Sequence, residues 1–152
     1  MRHIGIIALL FLSCLITTAQ ETKPVNRPDK PQVISQAIGE PAFTIPAGAY
    51  KDYTFAVPEG LKKVGLFGKF KATGGMRNSI EVWVMNDDQF VNWQNRHTVT
   101  PLYNSQKVTQ GTIKLLLPTD PGTYHIVFNN RFALLLAPKA VEATLALQYI
   151  KQ

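Results

Sequence analysis

The run Tyr124-His125-Ile126-Val127-Phe128-Asn129 constrains the fold more than any other part of the chain. Tyr124, Ile126 and Phe128 fall on one side, and His125, Val127 and Asn129 on the other. A period of two puts successive side chains on opposite faces of a sheet. Pro118-Thr119-Asp120-Pro121-Gly122 precedes the run and Asn129-Asn130 closes it. Proline presets φ for a turn, glycine accepts positive φ, and asparagine bonds its own backbone. The aromatic and aliphatic side predicts a core face. The mixed side, with His125, predicts a face toward solvent or a partner. This strand is expected to be central.

The same punctuation recurs from residue 32 onward. Val33 to Ile38 and Ala42 to Ile45 open the domain, and Pro46-Ala47-Gly48-Ala49 turns it. Tyr50 to Val57 then puts Tyr53, Phe55 and Val57 on one face. Lys63 to Ala72 sets Val64, Leu66, Phe70 and Ala72 against Lys69 and Lys71, and those lysines predict solvent. Thr73-Gly74-Gly75 predicts a hairpin-type turn. Ile80 to Met85 is apolar on both faces, which predicts a central strand covered on both sides. Leu102 to Lys107, Thr112 to Leu117 and Ala140 to Ile150 complete the set. Many short strands separated by turns predict an all-β, antiparallel, jelly-roll-like β-sandwich of about eight strands. Between two of them, Phe90 and Trp93 stand at helical spacing behind Asn86-Asp87-Asp88. This predicts one short helical turn, with the acidic pair at its N-terminus.

With 152 residues the chain supports one domain with a real core. Its net charge of +6 comes from scattered lysines and arginines, so no nucleic-acid footprint emerges. Residues 1–19 read as a signal peptide. Arg2 and His3 precede the apolar stretch Ile4 to Ile16, and Thr17-Thr18-Ala19 offers small residues for cleavage. That stretch is short for a membrane span. Residues 20–31, polar with three prolines, read as a linker, and residues 32–152 as the domain. The expected location is therefore periplasmic or extracellular. Cys14 is the only cysteine, so cleavage after Ala19 leaves a mature chain with no disulfide and no thiol nucleophile. A rival reading takes Leu12-Ser13-Cys14 as a lipoprotein acylation site, against which Phe11 and Leu15-Ile16 argue.

The residues Gly122-Thr123-Tyr124, Phe128, Asn130 and Phe132, followed by Lys139 and Val141, carry a resemblance. The pattern resembles the end of a GOLD domain, the Golgi-dynamics β-sandwich of lumenal cargo receptors. The segment Glu81 to Ser105 resembles GOLD-like bacterial export proteins of unknown function. The similarity covers roughly Ala42 to Leu147, through structural positions. Eukaryotic members carry a disulfide whose second cysteine falls where this chain has Val127, and they continue into a coiled coil and a membrane span not found here. The resemblance implies a non-catalytic protein- or ligand-binding sandwich outside the cytoplasm.

Candidate sites follow from residue chemistry. Asp87 and Asp88, near Asn86 and Asn92, could offer oxygen ligands to calcium, or simply cap the helix. His97 and His125 could form an acid–base or metal pair, or be a loop and a strand histidine. Ser35, Ser79 and Ser105 lie in no Gly-x-Ser-x-Gly elbow, so no catalytic residue and no cofactor are expected. Trp83, Trp93, Tyr103, Tyr50 and Tyr53 could stack on sugars or pack the core. Exposed Trp93 and Tyr103 would favour sugars. The apolar segment Phe132 to Pro138, with Leu134 and Leu135 at its centre, is either a buried crossover strand or an exposed partner surface. The function these readings favour is a non-catalytic binding module that contacts a protein partner. The alternative is a carbohydrate- or small-ligand-binding module using exposed aromatics.

Overall fold

The computed structural model describes residues 31–75, 77–118, 120–133 and 137–151. The expected signal peptide, Cys14 and nearly all of the expected linker lie outside this range, as do Leu134 and Leu135.

Nine strands and one helix occupy the described residues. They are β1 Gln32–Ile38, β2 Ala42–Ile45, β3 Tyr50–Val57, β4 Lys62–Thr73, β5 Ile80–Asn86, α1 Asp87–Gln94, β6 Tyr103–Val108, β7 Gln110–Leu116, β8 Gly122–Asn129 and β9 Lys139–Lys151. All pairings are antiparallel, and the strands form two sheets. One runs β1-β9-β4-β7, with β2 also on β9, and the other runs β3-β8-β5-β6. The fold is the expected all-β sandwich, with nine strands rather than about eight. The opening segment supplies two of them end to end, because β1 pairs with the C-terminal half of β9 and β2 with its N-terminal part.

Alternation decides which side chains fill the space between the sheets. Val64, Leu66, Phe70 and Ala72 of β4 face Val82 and Val84 of β5 and Tyr124, Ile126 and Phe128 of β8 in one buried cluster. Leu66, Val82, Val84, Ile126 and Phe128 are wholly shielded. Burying such side chains contributes roughly 1.5–3 kcal/mol each. Gly68 sits where β4 approaches β9, and a Cβ there would collide with the backbone oxygen of Thr144. β8 lies between β3 and β5, so the central strand read from the sequence is central in the fold.

Three local expectations need correction. Thr73-Gly74-Gly75 is not a hairpin: β4 and β5 lie in different sheets, and the turn carries the chain across the sandwich. Positive φ at Gly74, Gly75 and Asn78 makes the crossing, and Gly74 N donates to Asn78 Oδ1 at 2.9 Å. The helix is eight residues rather than one turn. Finally, the His125 face of β8 is not open to solvent. It is covered by α1, whose Phe90 and Trp93 pack with Met85 and Val127 in a second buried cluster.

Candidate functional site

The most chemically loaded position is His125, on the outer face of the four-stranded sheet. Asp52 arrives from β3, because Asp52 pairs with Val127 and Thr54 with His125 in the register. Asp87 arrives as the first residue of α1. Asn86 caps that helix: its Oδ1 accepts from Gln89 N at 2.9 Å, and Gln89 Oε1 accepts from Asn86 N at 3.0 Å. This reciprocal capping box fixes where the helix starts. His125 Nδ1 then lies 2.9 Å from Asp52 Oδ2, and Nε2 lies 3.1 Å from Asp87 Oδ1. Each ring nitrogen thus faces one carboxylate oxygen, and which of them donates depends on the tautomer. Phe90 closes the ring's flat side at 4.0 Å between centroids.

His125 is only 5% exposed. The nearest hydroxyl recorded is Thr54 Oγ1, 3.4 Å from Nδ1 and 3.2 Å from Asp52 Oδ2. A general base needs a free nitrogen within reach of substrate. Here both nitrogens face carboxylates and the ring is enclosed, so the arrangement pins β3, β8 and α1 together. His97 does not join it. It is exposed beyond the other end of α1, with Nδ1 3.2 Å from Asn92 Oδ1.

The remaining sequence candidates separate. Asp87 and Asp88 are both exposed in the first turn of α1, where negative charge suits the helix N-terminus. Among the described residues no group of three His, Cys, Asp or Glu side chains is placed to hold a metal ion. Ser105 Oγ accepts from Val82 N and donates to Gln106 O, a structural role at the β5–β6 irregularity. Trp93 is 8% exposed under α1, beside half-buried Trp83. Tyr103 pairs with Val84 and packs on the inter-sheet core, where burial raises its phenol above the ordinary value. Trp93 and Tyr103 thus occupy opposite faces of one sheet and form no shared stacking platform. Arg131 lies 4.3 Å over Trp93 and 4.5 Å over Tyr50, covering the rings a sugar would need.

The other sheet presents a different surface. Among the described residues no helix covers the outer face of the five-stranded sheet. Leu116 there is 73% exposed and Val33 70%. A shallow groove of about 800 Å³ crosses β2, β9, β4 and β7 on this face. The register sets its walls: Lys69 stands between Thr144 and Thr112, and Lys71 between Glu142 and Gln110. Nothing in the local sequence marks this groove. The alternation of β4 shows that Lys69 and Lys71 share a face, but only the pairing supplies their neighbours from residues 110–112 and 142–144.

Among the described residues no helix is long and apolar enough to cross a membrane. The chain matches no family model and no curated protein. Among solved structures it is similar to a family two carbohydrate esterase from Cellvibrio japonicus, at 14% identity and a TM-score of 0.33. The match covers 79% of this chain and 35% of that one, so the chain spans about a third of the enzyme's length. A likeness this loose carries no argument about fold or activity.

Proposed function

We propose that this chain is a non-catalytic binding module that acts outside the cytoplasm and engages its partner through the outer face of the five-stranded sheet. The observation that carries the reading is the unequal covering of the two sheets. Helix α1 covers the β5–β8 part of one outer face with Phe90 and Trp93, whereas no helix among the described residues lies on the other, which leaves Leu116 and Val33 mostly in water. A wide bare face is a surface that can be occupied on binding. The enclosure of His125 supports the non-catalytic part of the reading. Export follows from the reading of residues 1–19, and the GOLD-type assignment from the positions between Gly122 and Val141.

Site-specific photo-crosslinking in the source cells tests this. A photoreactive residue at Thr112 or Thr144, both exposed in the groove, is expected to give adducts, and one at Val91 on α1, which is 49% exposed, is not. Adducts confined to Val91, or the same pattern at all three positions, would overturn the proposal.

A further inference from the structure

We infer that the ligand of this face is an acidic polysaccharide, a chain of sugars bearing carboxylates, lying across the strands in the groove of β2, β9, β4 and β7. The inference rests on the binding-module reading and names its ligand class.

The charge of the face is one-sided. Lys69, Lys71 and Lys114 are all exposed, and among the described residues none of them makes an ion pair. Lys69 and Lys71 project from alternate positions of β4, roughly 7 Å apart along the strand. Lys114 stands on β7 opposite Phe67, one row further along. Glu142 is the acidic side chain in the groove wall, across from Lys71. A second depression, of about 310 Å³, adjoins the first and shares Ala42, Lys71 and Glu142 with it, so the trough continues past the Lys71–Glu142 ridge. Adjacent strands lie about 4.8 Å apart, so the four strands span about 14 Å from first to last, room for a short stretch of sugar rings.

The neutral groups select among polyanions. Thr112, Thr144 and Gln110 offer hydroxyls and an amide between the ammonium groups, and Glu142 accepts hydrogen bonds from hydroxyls. A uronate-bearing glycan carries carboxylates for the lysines and hydroxyls for the other four. A single-stranded nucleic acid fits less well. It calls for successive aromatic platforms, and Phe67 is the one aromatic ring among the described outward positions of this sheet. The floor is small by composition, with Ala42 on β2 and Ala140 on β9 beside the trough, so no bulky side chain blocks entry.

The test is affinity electrophoresis and calorimetry of the full chain with polygalacturonate, with neutral dextran and single-stranded DNA alongside. The expected result is retardation by polygalacturonate that weakens as salt is raised, and none by dextran. The double variant Lys69→Gln/Lys71→Gln should weaken binding by at least about tenfold. Lys51→Gln/Lys107→Gln, the same charge change on the four-stranded sheet, should leave it unaltered. Thermal melts of both variants establish that folding is unaffected, and NMR shift mapping on wild type places the ligand without any substitution. No retardation, equal losses in both double variants, or equal binding of DNA would overturn the inference. Adducts at Thr112 and Thr144 together with failed polygalacturonate binding would reject the ligand class alone and leave the binding-module reading standing.

Discussion

His125 stacks on Phe90, a strand residue against a helix residue, with ring centroids 4.0 Å apart and planes 12° from parallel. The contact joins two segments 35 positions apart and turns an outer sheet face into an interior. Phe90 also stacks on Trp93 at 6.2 Å, so one short helix supplies two of the four buried side chains of the second core. Phe90→Ala should therefore destabilise the protein by about 3 kcal/mol, the low end for a buried aromatic, because the cluster lies near the surface and can partly collapse. Urea denaturation followed by tryptophan fluorescence measures it. A loss under about 1 kcal/mol would mean that α1 is not anchored through this ring.

The two carboxylates on His125 differ in setting. The Asp52 side chain is 20% exposed and that of Asp87 66%. Water screens the outer pair, and exposed ion pairs contribute below about 1 kcal/mol. The inner contact is a shielded charge-assisted hydrogen bond, worth roughly 1.5–3 kcal/mol. Asp52→Ala should shift the urea midpoint clearly more than Asp87→Ala, and the reverse order would contradict the geometry.

Asn130 is completely buried, and its amide nitrogen lies 3.3 Å from Ile45 O, 3.0 Å from Pro46 O and 3.2 Å from Ala137 O. It ties the turn after β2 to the approach of β9. Asn130→Leu removes the donor shared by three carbonyls and should cost at least about 2 kcal/mol. Asn130→Asp keeps the shape but sets a carboxylate against carbonyl oxygens, so it should lower the melting temperature further. A milder effect for Asp than for Leu would show that packing, not hydrogen bonding, holds this corner.

Alkaline pH acts on the buried phenols. Burial raises Tyr53, Tyr103 and Tyr124 above 10.0. The folded chain then keeps protons that the unfolded chain has released, so stability falls as pH rises past 10.0. Lys139 works in the opposite sense. Burial lowers it from 10.5, so the unfolded chain binds the extra proton and stability rises with pH up to 10.5. Tyr124→Phe should flatten the alkaline fall, and Lys139→Met should remove the rise below it. Urea midpoints measured across the alkaline range read both slopes. An unchanged slope in Tyr124→Phe would place its phenol in water.

Hydrophobic period and turn chemistry were enough to recover most of the fold. The alternation of residues 63–72, 80–85 and 124–129 names the inward side chains before any partner is known, because a strand cannot change faces without a slip in register. The helix start was readable for the same reason, since a helix satisfies its own first N–H groups locally, although the cap is Asn86 and the acidic pair Asp87 and Asp88 lies in the first turn after it. What lies over the outside of a sheet is not local. His125, Val127 and Asn129 read as a mixed, exposed face until Phe90 and Trp93 of a helix formed by residues 87–94 are laid on them. Trp93 and Tyr103 likewise look like neighbours in an aromatic surface, and pairing of Tyr103 with Val84 sends them to opposite faces.

The sequence by itself determined the class of fold, the core side of most strands and the place of the helix, because each depends on spacing within one segment. Tertiary structure alone decided which sheet each strand joins, which outer face carries the helix, and which side chains meet across strands. Lys71 and Glu142 stand 71 positions apart and become neighbours only through the β4–β9 register. That register is set by which apolar faces can be buried together, a property of the whole sandwich rather than of any stretch within it.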